Sequence, residues 1–150
     1  MNVFIEQSGE KNKKNIFDKK TGKLVETVPF DLTYPYPYGY ILNTRGEDGQ
    51  NLDCYVITTN KLQVASIVEC EPIGMVEWFE DGVADHKVLM VPNNETGSVT
   101  SEVKARITQF ALHFFDHQPQ KKYRLGLFLE KGDAEELIKK CMLKNKFKND

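Results

Sequence analysis

Between Gly39 and Val91 the chain offers four strand-like stretches, Gly39–Leu42, Asp53–Ile57, Ala65–Met75 and Lys87–Val91, separated only by short turns. Parallel neighbours need a connection of a dozen or more residues, usually a helix, and no such segment lies between these stretches. The spacing therefore predicts a small barrel rather than a parallel sheet. Ahead of them, Asn15–Asp18 and Lys23–Val28 flank the turn Lys19-Lys20-Thr21-Gly22 and read as a hairpin, with Lys11–Lys14 as a solvated loop before it. The period then changes. Val103, Ile107, Phe110, Ala111 and Phe114 recur at three- and four-residue intervals, which predicts an amphipathic helix from Ser101 to His117, stopped by Pro119. A strand over Tyr123–Leu129 follows. Asp133 with Glu136 three residues later reads as a capping box opening a last helix to about Lys146, and Lys144–Asp150 is a polar tail. Strands followed by helices make an α+β chain.

The 150 residues suffice for one domain, 1–150, with a real core. A net charge of −2 offers no bulk attraction for nucleic acid or anionic lipid. No apolar run approaches a membrane span, and Met1-Asn2-Val3-Phe4 enters a strand pattern without a signal peptide. Cys54, Cys70 and Cys141 are odd in number and widely spaced, as reduced thiols of a cytoplasmic protein are. The expected partners are small molecules, not nucleic acid or membrane, and a homo-oligomer is compatible with the chain.

The run Tyr34-Pro35-Tyr36-Pro37-Tyr38-Gly39-Tyr40, followed by Asp48-Gly49-Gln50-Asn51-Leu52-Asp53, concentrates the chemistry. Each proline fixes its own φ and extends the residue before it, so the tyrosines stand along a stiff segment. Carboxylates on a tight turn beside phenols suit a hard divalent cation and a phosphate-like anion. The bland reading of each part is also available. Asp-Gly pairs are commonly only turns, Tyr34, Tyr36 and Tyr40 read as packing residues, and Glu80-Asp81-Gly82 as a hairpin turn. His113 and His117, one helical turn apart, read as helix packing rather than zinc ligands.

These segments resemble the soluble inorganic pyrophosphatases of the first family. Tyr34-Pro35-Tyr36-Pro37-Tyr38-Gly39-Tyr40-Ile41, the Asp48–Asp53 turn, Pro72-Ile73-Gly74, Asp85-His86-Lys87-Val88-Leu89-Met90-Val91-Pro92 and His113-Phe114-Phe115-Asp116-His117 fall in the family's order over most of the chain. The resemblance implies a five-stranded barrel of the oligonucleotide-binding type flanked by two C-terminal helices. It also implies Mg²⁺-dependent hydrolysis of pyrophosphate, with other divalent cations as alternatives. The implied metal ligands are Asp48, Asp53 and Asp85, with Glu80 at a further acidic position. Lys87, Tyr38 and Lys14 match the family's substrate-binding groups, Asp53 and Lys87 carry the catalytic assignment, and Glu6 matches its early glutamate. Several positions depart from the pattern: Gln50 replaces the carboxylate that would activate water, Ile16 a glutamate, Val28 an arginine, and Gln118-Pro119 a Tyr-Lys pair. General base catalysis contributes ~10²–10⁴-fold, so the amide at Gln50 implies reduced or redirected activity. Arg45, Lys121, Lys122 and Tyr123 are nearby candidates to replace the lost cations and phenol. The alternative function is a noncatalytic relative that binds a metal and a phosphate-bearing ligand or a protein partner.

Overall fold

The computed structural model describes residues 1–143; the polar tail 144–150 lies outside them, and the last helix, expected to reach about Lys146, ends at Cys141, where Met142 turns extended and bridges to Thr44. Nine strands and two helices are present among them: β1 (Asn2–Gln7), β2 (Lys13–Asp18), β3 (Lys23–Pro29), β4 (Tyr38–Ile41), β5 (Asp53–Val56), β6 (Ile67–Glu80), β7 (Val83–Ala84), β8 (Lys87–Pro92), α1 (Ser101–Asp116), β9 (Tyr123–Glu130) and α2 (Lys131–Cys141). β1 pairs with β4, β4 with β5, β5 with β8, β8 with β6, and β6 returns to β1, which closes a five-stranded barrel. The β5–β8 pair is parallel although no helix joins those strands. β6 makes the return pass that a crossover helix makes elsewhere, running antiparallel to β8 on its other side.

Closure brings backbones together at Gly39. A Cβ there would fall 1.8 Å from the Phe4 carbonyl oxygen, so the Tyr-Gly-Tyr sequence reflects the approach of β4 to β1. β6 is longer than its apolar pattern suggests, running on to Glu80 rather than ending at Met75. Its register shifts between Pro72 and Gly74, where proline has no N–H to give the ladder. Beyond the barrel it pairs with β7 through an Asp81-Gly82 turn and with β9 on its other edge. Both turn residues have positive φ, 52° and 82°, as a tight two-residue hairpin requires.

The helices cover opposite parts of the sheet. Thr100 caps α1 by accepting from the Val103 N–H at 3.2 Å. The buried face of α1, Val103, Ile107 and Phe110, packs with Tyr34, Tyr36, Tyr55, Val76 and Leu89. α2 puts Ala134 and Ile138 into the barrel core with Val3, Ile5, Ile41, Cys54, Val56, Val88 and Met90.

Three further expectations need correction. Lys13 and Lys14 are not loop residues but open β2, and Lys14 is half-buried. α2 starts before Asp133, with Glu130 at its N-cap; the Asp133 carboxylate accepts from the Glu130 N–H at 3.1 Å and so occupies the third helical position. His113 and His117 face solvent rather than packing, with His117 Nδ1 2.9 Å from the His113 carbonyl oxygen.

Candidate active site

A cleft of about 350 Å³ opens between the barrel mouth, the β2–β3 hairpin and the C-terminal end of α1. β5 carries Asp53 to its floor, with Tyr55 two residues on and therefore on the same face. β8 brings Lys87, which is 4% exposed, and the residues before it bring Asp85. Asp85 is held by the backbone of Trp78: its N–H donates to the Trp78 carbonyl at 2.7 Å, and the Trp78 N–H donates to His86 Nδ1 at 3.0 Å. The latter bond requires an unprotonated Nδ1, consistent with burial lowering the His86 pKa.

Lys87 joins the two carboxylates. Its Nζ lies 3.0 Å from Asp53 Oδ2 and 2.9 Å from Asp85 Oδ2. Lys19, just past the end of β2, reaches the other Asp53 oxygen at 3.2 Å. Burial raises the pKa of Asp53, but Lys87 and Lys19 outweigh it and hold this carboxyl below its usual range. Asp85 is pushed up to about 6, by burial first, with Lys87 opposing and Asp53 adding to the rise. Lys87 opposes its own burial through the same two carboxylates, and its pKa is raised. Isolated buried charges are costly, so this bridge stands only because each charge has a close partner.

The walls supply more cations and phenols. Lys14 lies 5.6 Å from the Phe30 ring centre and 5.7 Å from that of Phe114, and burial lowers its pKa. Burial and the Asp53 charge raise the Tyr38 pKa, so its hydroxyl stays protonated and able to donate. Glu6 also lines the cleft; burial, opposed by Lys19, pushes it up to about 7. At the outer rim Glu80 accepts from Lys121 Nζ at 2.5 Å, and the Tyr123 hydroxyl is 3.5 Å from the same oxygen. Lys121 and Tyr123 thus line the cleft, whereas Arg45 borders a separate hollow and the Lys122 N–H is bonded to Asp81.

Six of the seven residues singled out from sequence share this cleft: Lys14, Tyr38, Asp53, Glu80, Asp85 and Lys87. Asp48 does not. It is exposed, its Oδ1 accepts from the Gln50 N–H at 2.9 Å, and it faces a neighbouring hollow that Asp85 also borders. Among the described residues no three acidic, histidine or cysteine side chains stand close enough together to hold a metal ion. Of the residues at departing positions, Ile16 lines the cleft, while Gln50 is exposed on the Asp48 turn.

Sequence reading missed Lys19, Tyr55 and Trp78. For the last two a signal was present. Tyr55 follows Asp53, and Trp78 precedes Glu80, by the two-residue period that puts strand neighbours on one face. Lys19 sits in a turn and has no period to mark it.

The inorganic pyrophosphatase family model matches residues 3–146. The inorganic pyrophosphatase of Saccharolobus solfataricus is 30% identical over 97% of this chain and 92% of that protein. That of Nanoarchaeum equitans is 33% identical over 93% of each. Among solved structures, the Helicobacter pylori inorganic pyrophosphatase superposes with a TM-score of 0.82 at 25% identity, over 94% of this chain and 90% of that one. Sequence, barrel and cleft agree, and the chain belongs to the inorganic pyrophosphatase family.

Proposed function

We propose that this chain hydrolyses inorganic pyrophosphate to two phosphates in the cleft around Asp53, using a divalent cation, Mg²⁺ by preference. The observation that supports this most is the Asp53–Lys87–Asp85 bridge, set on the floor of a cleft walled by further lysines and phenols. Asp53 and Asp85 are the hard oxygen donors on the cleft floor that a divalent cation would take, beside the Lys87 ammonium that bridges them. Asp53 and Asp85 are the proposed core of the metal site, with Asp48 approaching from the adjoining hollow and Glu80 from the rim. A divalent ion there supplies charge neutralisation for the phosphoryl oxygens and acidifies water at its position.

The protein groups do the rest by position and charge. Lys87 and Lys14 are proposed to neutralise the phosphate nearest the floor, and Tyr38 to donate a hydrogen bond to it. The substrate carries several negative charges, and a partly enclosed cleft weakens screening by salt, so lysines there are worth more than on an open surface. Asp53 keeps Lys87 charged and aimed. Gln50 lies on the exposed turn outside the cleft and carries no base, so that turn supplies no carboxylate to activate water and the rate is expected to be reduced.

The three thiols are free, and Cys54 and Cys70 are buried, which suits a reducing compartment such as the cytoplasm. No described helix is long and apolar enough to cross a membrane.

Phosphate release from pyrophosphate, measured with and without Mg²⁺, tests the proposal. Release that needs Mg²⁺ and is lost in Asp53→Ala is expected. Ile16 in the cleft wall favours a second reading, a noncatalytic relative that only binds a metal and a phosphate-bearing ligand. Metal-dependent phosphate binding without turnover would establish that one instead.

A further inference from the structure

We infer that Lys121 grips the outer phosphate of pyrophosphate and that Glu80 holds this lysine in place until the anion arrives. The assignment rests on the reading of the cleft as a pyrophosphate site and names the residue that recognises the second phosphate.

The mounting of Lys121 is specific. After α1 the chain turns at Gln118–Lys121, where the Lys121 N–H donates to the Gln118 carbonyl at 3.0 Å. Pro119 stiffens this turn. The next residue ties it to the β6–β7 hairpin: the Asp81 N–H donates to the Lys122 carbonyl at 2.7 Å, and the Lys122 N–H to Asp81 Oδ1 at 2.8 Å. A surface lysine is thereby fixed at its backbone on two sides while its ammonium enters the cleft.

Its charge is held by an exposed partner, as the charges of the other cleft lysines are not. Lys87 and Lys19 are committed to Asp53, and Lys14 lies over two aromatic rings. Among the described residues Lys121 pairs only with the Glu80 carboxylate at the rim, and its side chain is 43% exposed. An exposed ion pair is worth little, so an anion of higher charge displaces Glu80 at small cost. Lys121 and Lys87 both act on the Lys14 ammonium, each disfavouring its charge. Three ammonium groups facing one space repel one another, and a polyanion between them removes that repulsion.

The span also fits two phosphates rather than one. The Lys87 ammonium stands 5.0 Å from the Trp78 ring, and Glu80 follows two residues farther out on β6, a rise of about 7 Å. Lysines at these two levels of one cleft suit a diphosphate, with Lys87 at the inner phosphate and Lys121 at the outer one.

Calorimetric titration with imidodiphosphate, which has a non-hydrolysed bridge, and with inorganic phosphate, each with Mg²⁺, tests the assignment. Losing one charge-assisted contact predicts imidodiphosphate binding weakened about 10- to 100-fold in Lys121→Ala, with inorganic phosphate within about twofold. Lys121→Arg should restore most of the loss. Glu80→Gln, which frees the lysine, should tighten imidodiphosphate binding when Mg²⁺ is omitted. Equal weakening for both anions, or none for either, overturns the role of Lys121 alone. Absence of imidodiphosphate binding to the unaltered protein overturns the pyrophosphate reading as well.

Discussion

Asp48 and Asp53 bound the same short turn, yet the fold puts them in opposite circumstances. Asp53 enters β5 and is drawn to the cleft floor, where two lysines meet its two oxygens. Asp48 stays on the exposed turn, where its carboxylate is occupied by the Gln50 N–H. Gly49, with φ of 83°, allows the reversal that sends them apart. Two equal letters in a motif thus become a buried charge that orders its surroundings and a surface group that shapes a turn. What separates them is strand membership. Residues on β5 and β8 inherit the barrel's geometry, and residues between strands do not.

The comparison is most exposed at Asp53. Asp53→Asn removes the charge that both Lys87 and Lys19 face. Breaking a buried pair by removing one partner costs about 3–5 kcal/mol, and Lys19 is open enough to solvent to soften that toward the lower end. Catalysis should suffer more. Loss of a principal metal ligand forfeits several kcal/mol of transition-state stabilisation, so pyrophosphate hydrolysis should fall roughly a thousandfold. Steady-state assays at saturating Mg²⁺, paired with urea unfolding, separate the two effects. A variant that stays within tenfold of the parent rate would remove Asp53 from the centre of the site.

Glu6 sharpens the comparison because it too is buried, yet it titrates near neutrality. Its ordinary pKa is 4.5, and burial pushes it up to about 7 in the folded protein. Between those values the folded chain holds a proton that the unfolded chain has released. Stability therefore declines as pH rises through this window, by ~3 kcal/mol in full. Glu6→Gln should abolish that part of the slope and be the more stable protein above pH 7, with no advantage below pH 4.5. Urea unfolding of both proteins across the range gives the difference, which isolates Glu6 from Asp85 titrating in an overlapping window. A parallel pair of curves would mean that Glu6 gains a close cationic partner in solution.

Asp48→Asn should do much less than Asp53→Asn. Asparagine can keep the side-chain bond to the Gln50 N–H, so the turn survives. If Asp48 acts on the metal only from the adjoining hollow, the Mg²⁺ concentration for half-maximal activity should rise about tenfold, as for groups that support a ligand set. A loss matching that of Asp53→Asn would show that the turn closes onto the ion.

The order of elements, the closed barrel and most of the cleft are legible in the sequence for related reasons. Alternating apolar residues name the strands, and a residue placed on a strand has its face decided. The family resemblance names Lys14, Asp53 and Lys87, and each sits on a strand, although the residue pattern alone puts Lys14 in a loop. The far end of β6 was hidden because Met75-Val76 and Trp78-Phe79 break the alternation, and a bulge against β9 between Val76 and Trp78 absorbs the break. Lys19 was hidden as a site residue for a different reason, and Lys121 could be named only as one of several candidate cations. Both sit on turns, where a side chain's direction depends on tertiary bonds such as those between Asp81 and Lys122. Asp48 shows the converse, a motif residue whose turn directs it away from its partners.

Tyr55 offers the smallest and most discriminating test. It shares the β5 face with Asp53 but stands on the other side of the contrast, as a polar group without a partner. Its side chain is fully buried, its ring meets Tyr38 edge-on at 4.9 Å, and its hydroxyl makes no hydrogen bond among the described residues. An unsatisfied buried hydroxyl costs about 1–3 kcal/mol, whereas its ring packing is retained in phenylalanine. Tyr55→Phe should therefore raise stability by about 1 kcal/mol and leave hydrolysis within about twofold, because Tyr38, not Tyr55, is the proposed donor to the anion. Thermal or urea unfolding measures the first and initial rates the second. Destabilisation with unchanged rates would mean that a buried water satisfies the hydroxyl. A large loss of rate would mean that the phenol turns toward the bound phosphate, making it a working member of the floor beside Asp53.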